Sequence, residues 1–95
     1  MPKRDGEKIV VTVMGDDRVG IVAGVSAVLA ETGANILDLT STKMRNIFVM
    51  IILVDMSRSK LELRKLQEML KEKGEELGVQ ISAQHEDVFR FMHRV

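Results

Sequence analysis

The chain contains no Cys, no Trp, no Tyr and a single Pro. Without Cys there is no disulfide framework, thiolate metal site or cysteine nucleophile, and the composition fits a reducing compartment. Three Phe are the only aromatics in 95 residues, so stacking platforms for nucleic-acid bases are scarce. Neither charge sign is in excess: 14 Lys and Arg balance 14 Asp and Glu. Nucleic-acid and anionic-membrane partners, which call for a basic surplus, are therefore not expected. Two His are too few for an all-His zinc site within one chain. The longest apolar run, residues 47–54, falls well short of the ~20 residues that cross a bilayer. The opening MPKRDGEK is too polar and short for a targeting signal. These limits predict a cytoplasmic protein.

An apolar content of 45% supplies a core rather than a disordered chain. The length suits one domain of two layers, expected over residues 8–95 behind a loose tail at 1–7. The β-branched run KIVVTVM at residues 8–14 reads as a strand ended by Gly15. GDDRVG is a tight connection. Beyond it Ile21, Val22, Val25, Val28 and Leu29 fall at helical spacing, and Gly33 stops the helix. Residues 34–44 form a second strand, with Asn35, Leu37 and Leu39 on one side. Arg45-Asn46 is a hairpin turn in which Asn takes the positive φ. Residues 47–54 form a third strand, apolar on both faces. Ser59 and Glu62 match a capping box for a helix carrying Leu63, Leu66, Met69, Leu70 and Leu77, which Gly78 ends. Its mixed charges are a solvated face. Residues 79–84 form a fourth strand. A short C-terminal helix closes the chain, with Val88, Phe89 and Met92 on one side.

Strand, helix, strand, strand, helix, strand is the order of a split β-α-β sandwich of ferredoxin-like type, an α+β fold. It places the first and third strands, the most apolar, in the middle of an antiparallel sheet. Two helices cover one face only. The other keeps an apolar strip, which the C-terminal helix, a second subunit or both are expected to cover.

The loop holds the chemistry. Gly15, Gly20 and Gly24 match neither the dinucleotide fingerprint nor the phosphate loop, since Ile21 and Val22 stand where Lys and Ser/Thr belong. The loop does lead into a helix N-terminus, whose free N–H groups attract an anion. Asp16 and Asp17 beside it repel phosphate and attract an ammonium. Poles of both signs side by side suit a zwitterion such as an amino acid; the plainer use of Asp17 is capping. Asn35 offers an amide that both donates and accepts, or else stabilises a turn. Ser26, Thr40, Ser41 and Thr42 have no base partner, and His85 and His93 lie eight residues apart, so no nucleophilic site is expected. Adjacent His85-Glu86-Asp87 rarely converge on one ion. No metal, cofactor or catalytic residue is expected.

VTVMGDDRVGIVAGVSAVLAETGANILDLTSTKMRNIFVMIILVD strongly resembles an ACT domain, a small amino-acid-sensing regulatory module. The signature is a strand, DDRVGIV, a helix, GANILD and a strand. LKEKGEELGVQISAQHEDVFRFMHRV is similar to the tail of a family of short stand-alone ACT proteins of unassigned function, relatives of the glycine cleavage system regulator. The resemblance implies the same βαββαβ fold, domains that pair, and small ligands bound between two domains. By matching, it implies ligand contacts at Gly15, Asp16, Asp17, Arg18, Val19, Gly20, Ile21, Asn35 and Ile36. Where the family favours Arg-Pro-Gly, this chain has Arg18-Val19-Gly20; losing Pro frees the backbone angle and restores an N–H. The reading that follows is a homodimeric allosteric sensor of an amino acid or similar zwitterion. The alternative is a ligand-free interaction module docking onto a protein partner, a metabolic enzyme or transcription regulator. An acylphosphatase-like enzyme fits the acidic loop badly.

Overall fold

The computed structural model describes residues 7–59 and 61–92. The elements are β1 (Lys8–Asp16), α1 (Ile21–Glu31), β2 (Asn35–Met44), β3 (Ile47–Asp55), α2 (Leu63–Leu77), β4 (Val79–His85) and α3 (Glu86–Met92). The strands pair antiparallel in the order β2-β3-β1-β4. This is the expected ferredoxin-like βαββαβ fold with a C-terminal helix added. The expected N-terminal tail lies outside the described residues except for Glu7, whose carbonyl accepts a hydrogen bond from the Met56 amide. His93 also lies outside them.

Strand alternation sorts the side chains. Ile9, Val11 and Val13 of β1 and Met50, Ile52 and Val54 of β3 are fully buried. They meet Val25 and Leu29 of α1 and Leu66 and Leu70 of α2 in one core. Burying each such side chain contributes roughly 1.5–3 kcal/mol. The opposite face holds Met14, Ile47 and Ile51, all exposed. β1 and β3 are thus apolar on both sides, although the α1–α2 layer covers only one. α3 packs on β1 and β4. Val10 points to the open face yet is 6% exposed, on one of the two strands that α3 contacts.

Several details differ from the sequence expectation. Gly15 does not end β1; it pairs with Phe48 and Val79 inside the sheet. A Cβ there would meet Val79 Cγ1 at 2.8 Å, and one on Gly74 would meet the Val79 carbonyl oxygen at 2.7 Å. Both glycines let the chain close tightly around Val79. In the hairpin Arg45, not Asn46, takes the positive φ of 58°. Ser59 is not a cap: α2 begins after Glu62 with no side-chain cap. The Ser59 hydroxyl instead donates to the Thr32 carbonyl at 2.5 Å and accepts from the Leu61 amide at 3.1 Å. It ties the end of α1 to the approach of α2. Val22, expected in the core stripe, is 46% exposed in the first turn of α1.

A bulge between Ile36 and Asp38 breaks the alternation of β2. Asn35 pairs with Asp55, on the open face, whereas Leu39 pairs with Ile52, on the helix face. The two were expected on one side. One inserted residue reverses a period of two, and the Asp38 carboxylate takes the Leu39 amide at 2.9 Å. In α3, Val88 and Met92 are exposed while Phe89 is half-buried, so the helical side these three share is only partly packed.

Candidate functional site

The loop from β1 to α1 follows from its residues. Gly20 holds φ 95°, a conformation costly for any residue with a Cβ. It serves as the N-cap of α1 and makes no side-chain cap hydrogen bond. The first helical hydrogen bond runs from the Gly24 amide to the Gly20 carbonyl. The amides before Gly24 therefore have no partner inside the helix. Asp17 does not cap them. Its amide donates to the Asn46 carbonyl at 2.9 Å, and its carboxylate meets Lys43 Nζ at 2.9 Å. The loop is thus pinned to the β2–β3 hairpin. Both partners are well exposed, so the pair contributes ~0–1 kcal/mol.

The other candidate side chains diverge. Arg18 lies over Gly78, its guanidinium carbon 3.3 Å from where a side chain there would begin. It faces the C-terminal, partially negative end of α2. Val19 is fully exposed and Ile21 is buried in the core, so the part Ile21 can offer a ligand is its amide. Asp16, Asp17, Lys43, Arg45 and Asn46 line a shallow cavity of about 390 Å³. Lys43 and Arg45 were not anticipated. The register of the hairpin brings them beside the loop, and only strand pairing shows this.

Asn35 and Ile36 sit elsewhere. Asp16 pairs with Ile47, whereas Lys8 and Asn35 both pair with Asp55. The eight-residue step from Lys8 to Asp16 spans roughly 26 Å at ~3.3 Å per residue. Within one chain, Asn35 is therefore at the far end of the sheet from the loop, not near its edge. There Gly33, Ala34, Asn35, Asp55 and Arg58 line a cavity of about 460 Å³. The Asp55 carboxylate accepts the Ser57 amide at 2.9 Å. That bond, the Ser57 hydroxyl and the nearby Lys8 and Arg58 charges hold its carboxyl below the ordinary 3.8.

A larger groove, about 680 Å³, runs along the β4 edge between Gln67, Lys71, Glu75, Gln80, Ser82 and Gln84. It contains none of the candidate residues. Gln67 Nε2 donates to the Ala83 carbonyl at 2.6 Å and partly satisfies that edge. Among the described residues, no three His, Asp or Glu side chains converge as metal ligands, and no helix is long and apolar enough to cross a membrane.

The ACT domain model matches residues 7–84, and the chain belongs to the ACT domain family. It is 56% identical over 88 residues to a UPF0237 protein of Methanocaldococcus jannaschii, covering 93% of this chain and 98% of that one. Among solved structures, an ACT domain protein from Streptococcus pneumoniae superposes with a TM-score of 0.77 at 38% identity, over 86% of this chain and 92% of that one. A putative glycine cleavage system transcriptional repressor shares the fold at 24% identity and a TM-score of 0.72, over 81% of this chain and 45% of its own. ACT domains are commonly regulatory ligand-binding modules.

Proposed function

We propose that the chain is a regulatory module that binds an amino acid or similar small zwitterion between two copies of itself and acts as an allosteric sensor. The separation of the candidate residues carries this reading. The loop and Asn35 lie at opposite ends of β2, and β2 is an edge strand exposed along all ten residues. Exposed edges invite pairing. Two β2 strands paired antiparallel invert one copy relative to the other. The Asn35 end of each then approaches the loop of its partner. Each ligand site takes its loop from one copy and Asn35-Ile36 from the other, and two-fold symmetry makes two sites. The uncapped Gly20 and Ile21 amides hold the carboxylate. Asp16, Asp17 and Asn35 hold the ammonium or a polar side chain, and Gly15, Arg18 and Val19 shape the loop.

Thermal unfolding followed by circular dichroism against the common amino acids tests the reading, since a ligand at 100 times its Kd adds about 2.7 kcal/mol. Asp17→Ala and Asn35→Ala each abolish the shift caused by the active amino acid. Mixing and re-associating the two variants restores about one quarter of the sites, because half the pairs are mixed and each mixed pair keeps one intact site. No recovery in the mixture refutes the shared site.

One observation favours a second reading, a ligand-free module that docks onto a metabolic enzyme or transcription regulator. Lys43 already occupies Asp17, the carboxylate a ligand ammonium would use. Lys43→Ala separates the two: it raises ligand affinity under the first reading and exposes no amino-acid response under the second.

A further inference from the structure

The cavity at the loop end sorts its charges by element. Asp16 and Asp17 come from the end of β1 and the start of the loop, and Lys43, Arg45 and Asn46 come from the β2–β3 hairpin. Lys43 is engaged by Asp17 at 2.9 Å. Arg45 is not engaged: among the described residues it forms no ion pair, although two carboxylates line the same cavity. Its backbone is costly as well. Arg45 takes φ 58° and Asn46 has no positive φ; in a two-residue turn of that kind the first position ordinarily falls to Gly. A side chain there carries a steric cost that Gly avoids. The Asp17 amide, donating to the Asn46 carbonyl at 2.9 Å, fixes this turn against the loop. An unpaired guanidinium is thus kept in the hairpin wall of the cavity, at a position where turn chemistry favours no side chain.

We infer that the ligand is an acidic amino acid, aspartate or glutamate, and that Arg45 binds its side-chain carboxylate. This rests on the amino-acid reading of the loop and names the ligand class for that site. In that reading the loop side takes the α-groups: the Gly20 and Ile21 amides hold the carboxylate, and Asp17 with Asp16 holds the ammonium. The ligand side chain is left to the hairpin side. Lys43, its side chain 58% exposed, returns to water when the ammonium displaces it from Asp17. Arg45 and Asn46 remain, a cation and an amide. A basic side chain would meet Arg45 as a like charge. An apolar one would cover the guanidinium without replacing its water. A carboxylate matches the guanidinium fork in a bidentate pair, which neither a neutral amide nor a hydroxyl equals. A site between two copies withdraws that pair from water, where its electrostatic attraction is stronger.

Thermal unfolding of the full chain by circular dichroism tests it, with L-aspartate and L-glutamate set against their amides, L-asparagine and L-glutamine. Ionic strength is held constant because salt screens exposed charges. The acids produce a given rise in Tm at concentrations roughly 10-fold or more below those of the amides, the scale of one charge-assisted hydrogen bond. Arg45→Gly raises the Tm of the unliganded chain, since Gly suits the turn, and removes the preference for acid over amide. Arg45→Lys, which keeps the charge but not the fork, retains part of that preference. An equal response to acids and amides, or a stronger one to amides, overturns the inference and leaves the sensor standing. So does a preference for acids that survives in Arg45→Gly. No response to any amino acid overturns both. A response to succinate equal to that for aspartate removes the ammonium pole at Asp17, and the inference falls with it.

Discussion

The two faces of the sheet are built from the same strands and nearly the same residues. Ile52 and Ile51 are neighbours on β3; one is fully buried and the other 37% exposed. The first lies under α1 and α2, and the second lies where α3 does not reach. Hydrophobicity along a central strand therefore does not decide burial. The position of the covering layer does, and an apolar residue left outside it is available for contact with another molecule. The ends of the sheet differ in a parallel way. One gathers charges of both signs around Asp17, Lys43 and Arg45, and the other holds Asn35, Asp55 and Arg58.

The sharpest test of the two-face contrast is a truncation on each side. Ile52→Ala should cost 2–5 kcal/mol, as cavity-forming core changes typically do. Ile51→Ala, measured at protein concentrations too low for association, should cost about 0.5 kcal/mol or less. Equal costs in chemical denaturation would break the comparison. Next in size is Gly74→Ala. Helix propensity favours Ala by ~1 kcal/mol, yet the new Cβ would press on the Val79 carbonyl oxygen. We expect net destabilisation of about 1–3 kcal/mol from overpacking. A rise in Tm would show that α2 moves off β4 freely.

Ser59→Ala removes both hydrogen bonds that link the end of α1 to the approach of α2, and should cost about 1–2 kcal/mol. A capping role would instead confine the loss to α2, which amide exchange resolves. The smallest effect concerns the Asn35 end. Asp55 is titrated below its ordinary 3.8, so its contribution is present above that value and fades as pH falls through the lowered folded value. Asp55→Asn should flatten the stability profile only below about pH 4. A difference between the proteins near neutrality that varies with pH would refute that assignment.

The sequence made most of the elements legible because their signals are local. Five apolar side chains in seven residues mark β1, and Gly33 and Gly78 close their helices at φ 79° and 77°. The misses share a cause. Ser59 resembled a cap because Glu62 follows it at the right spacing, but α2 starts later and Ser59 answers to Thr32, 27 residues away. Leu39 was placed with Asn35 by alternation, and a bulge that alternation cannot reveal reversed it. The loop was legible as a charged entry into a helix. Its partners Lys43 and Arg45 were not, since they arrive through the pairing of β2 with β3.

By itself the sequence determined the order of the elements, the apolar character of both sides of the central strands, and the charged, glycine-flanked entry into α1. These follow from side-chain type and spacing over fewer than about ten residues, the range on which strand and helix periods act. Tertiary structure alone decided that Lys43 meets Asp17, that Asn35 stands at the far end of the sheet from the loop, and that α3 packs against β1 as well as β4. Each depends on strand register or on how distant elements pack, which bring together residues the chain keeps apart.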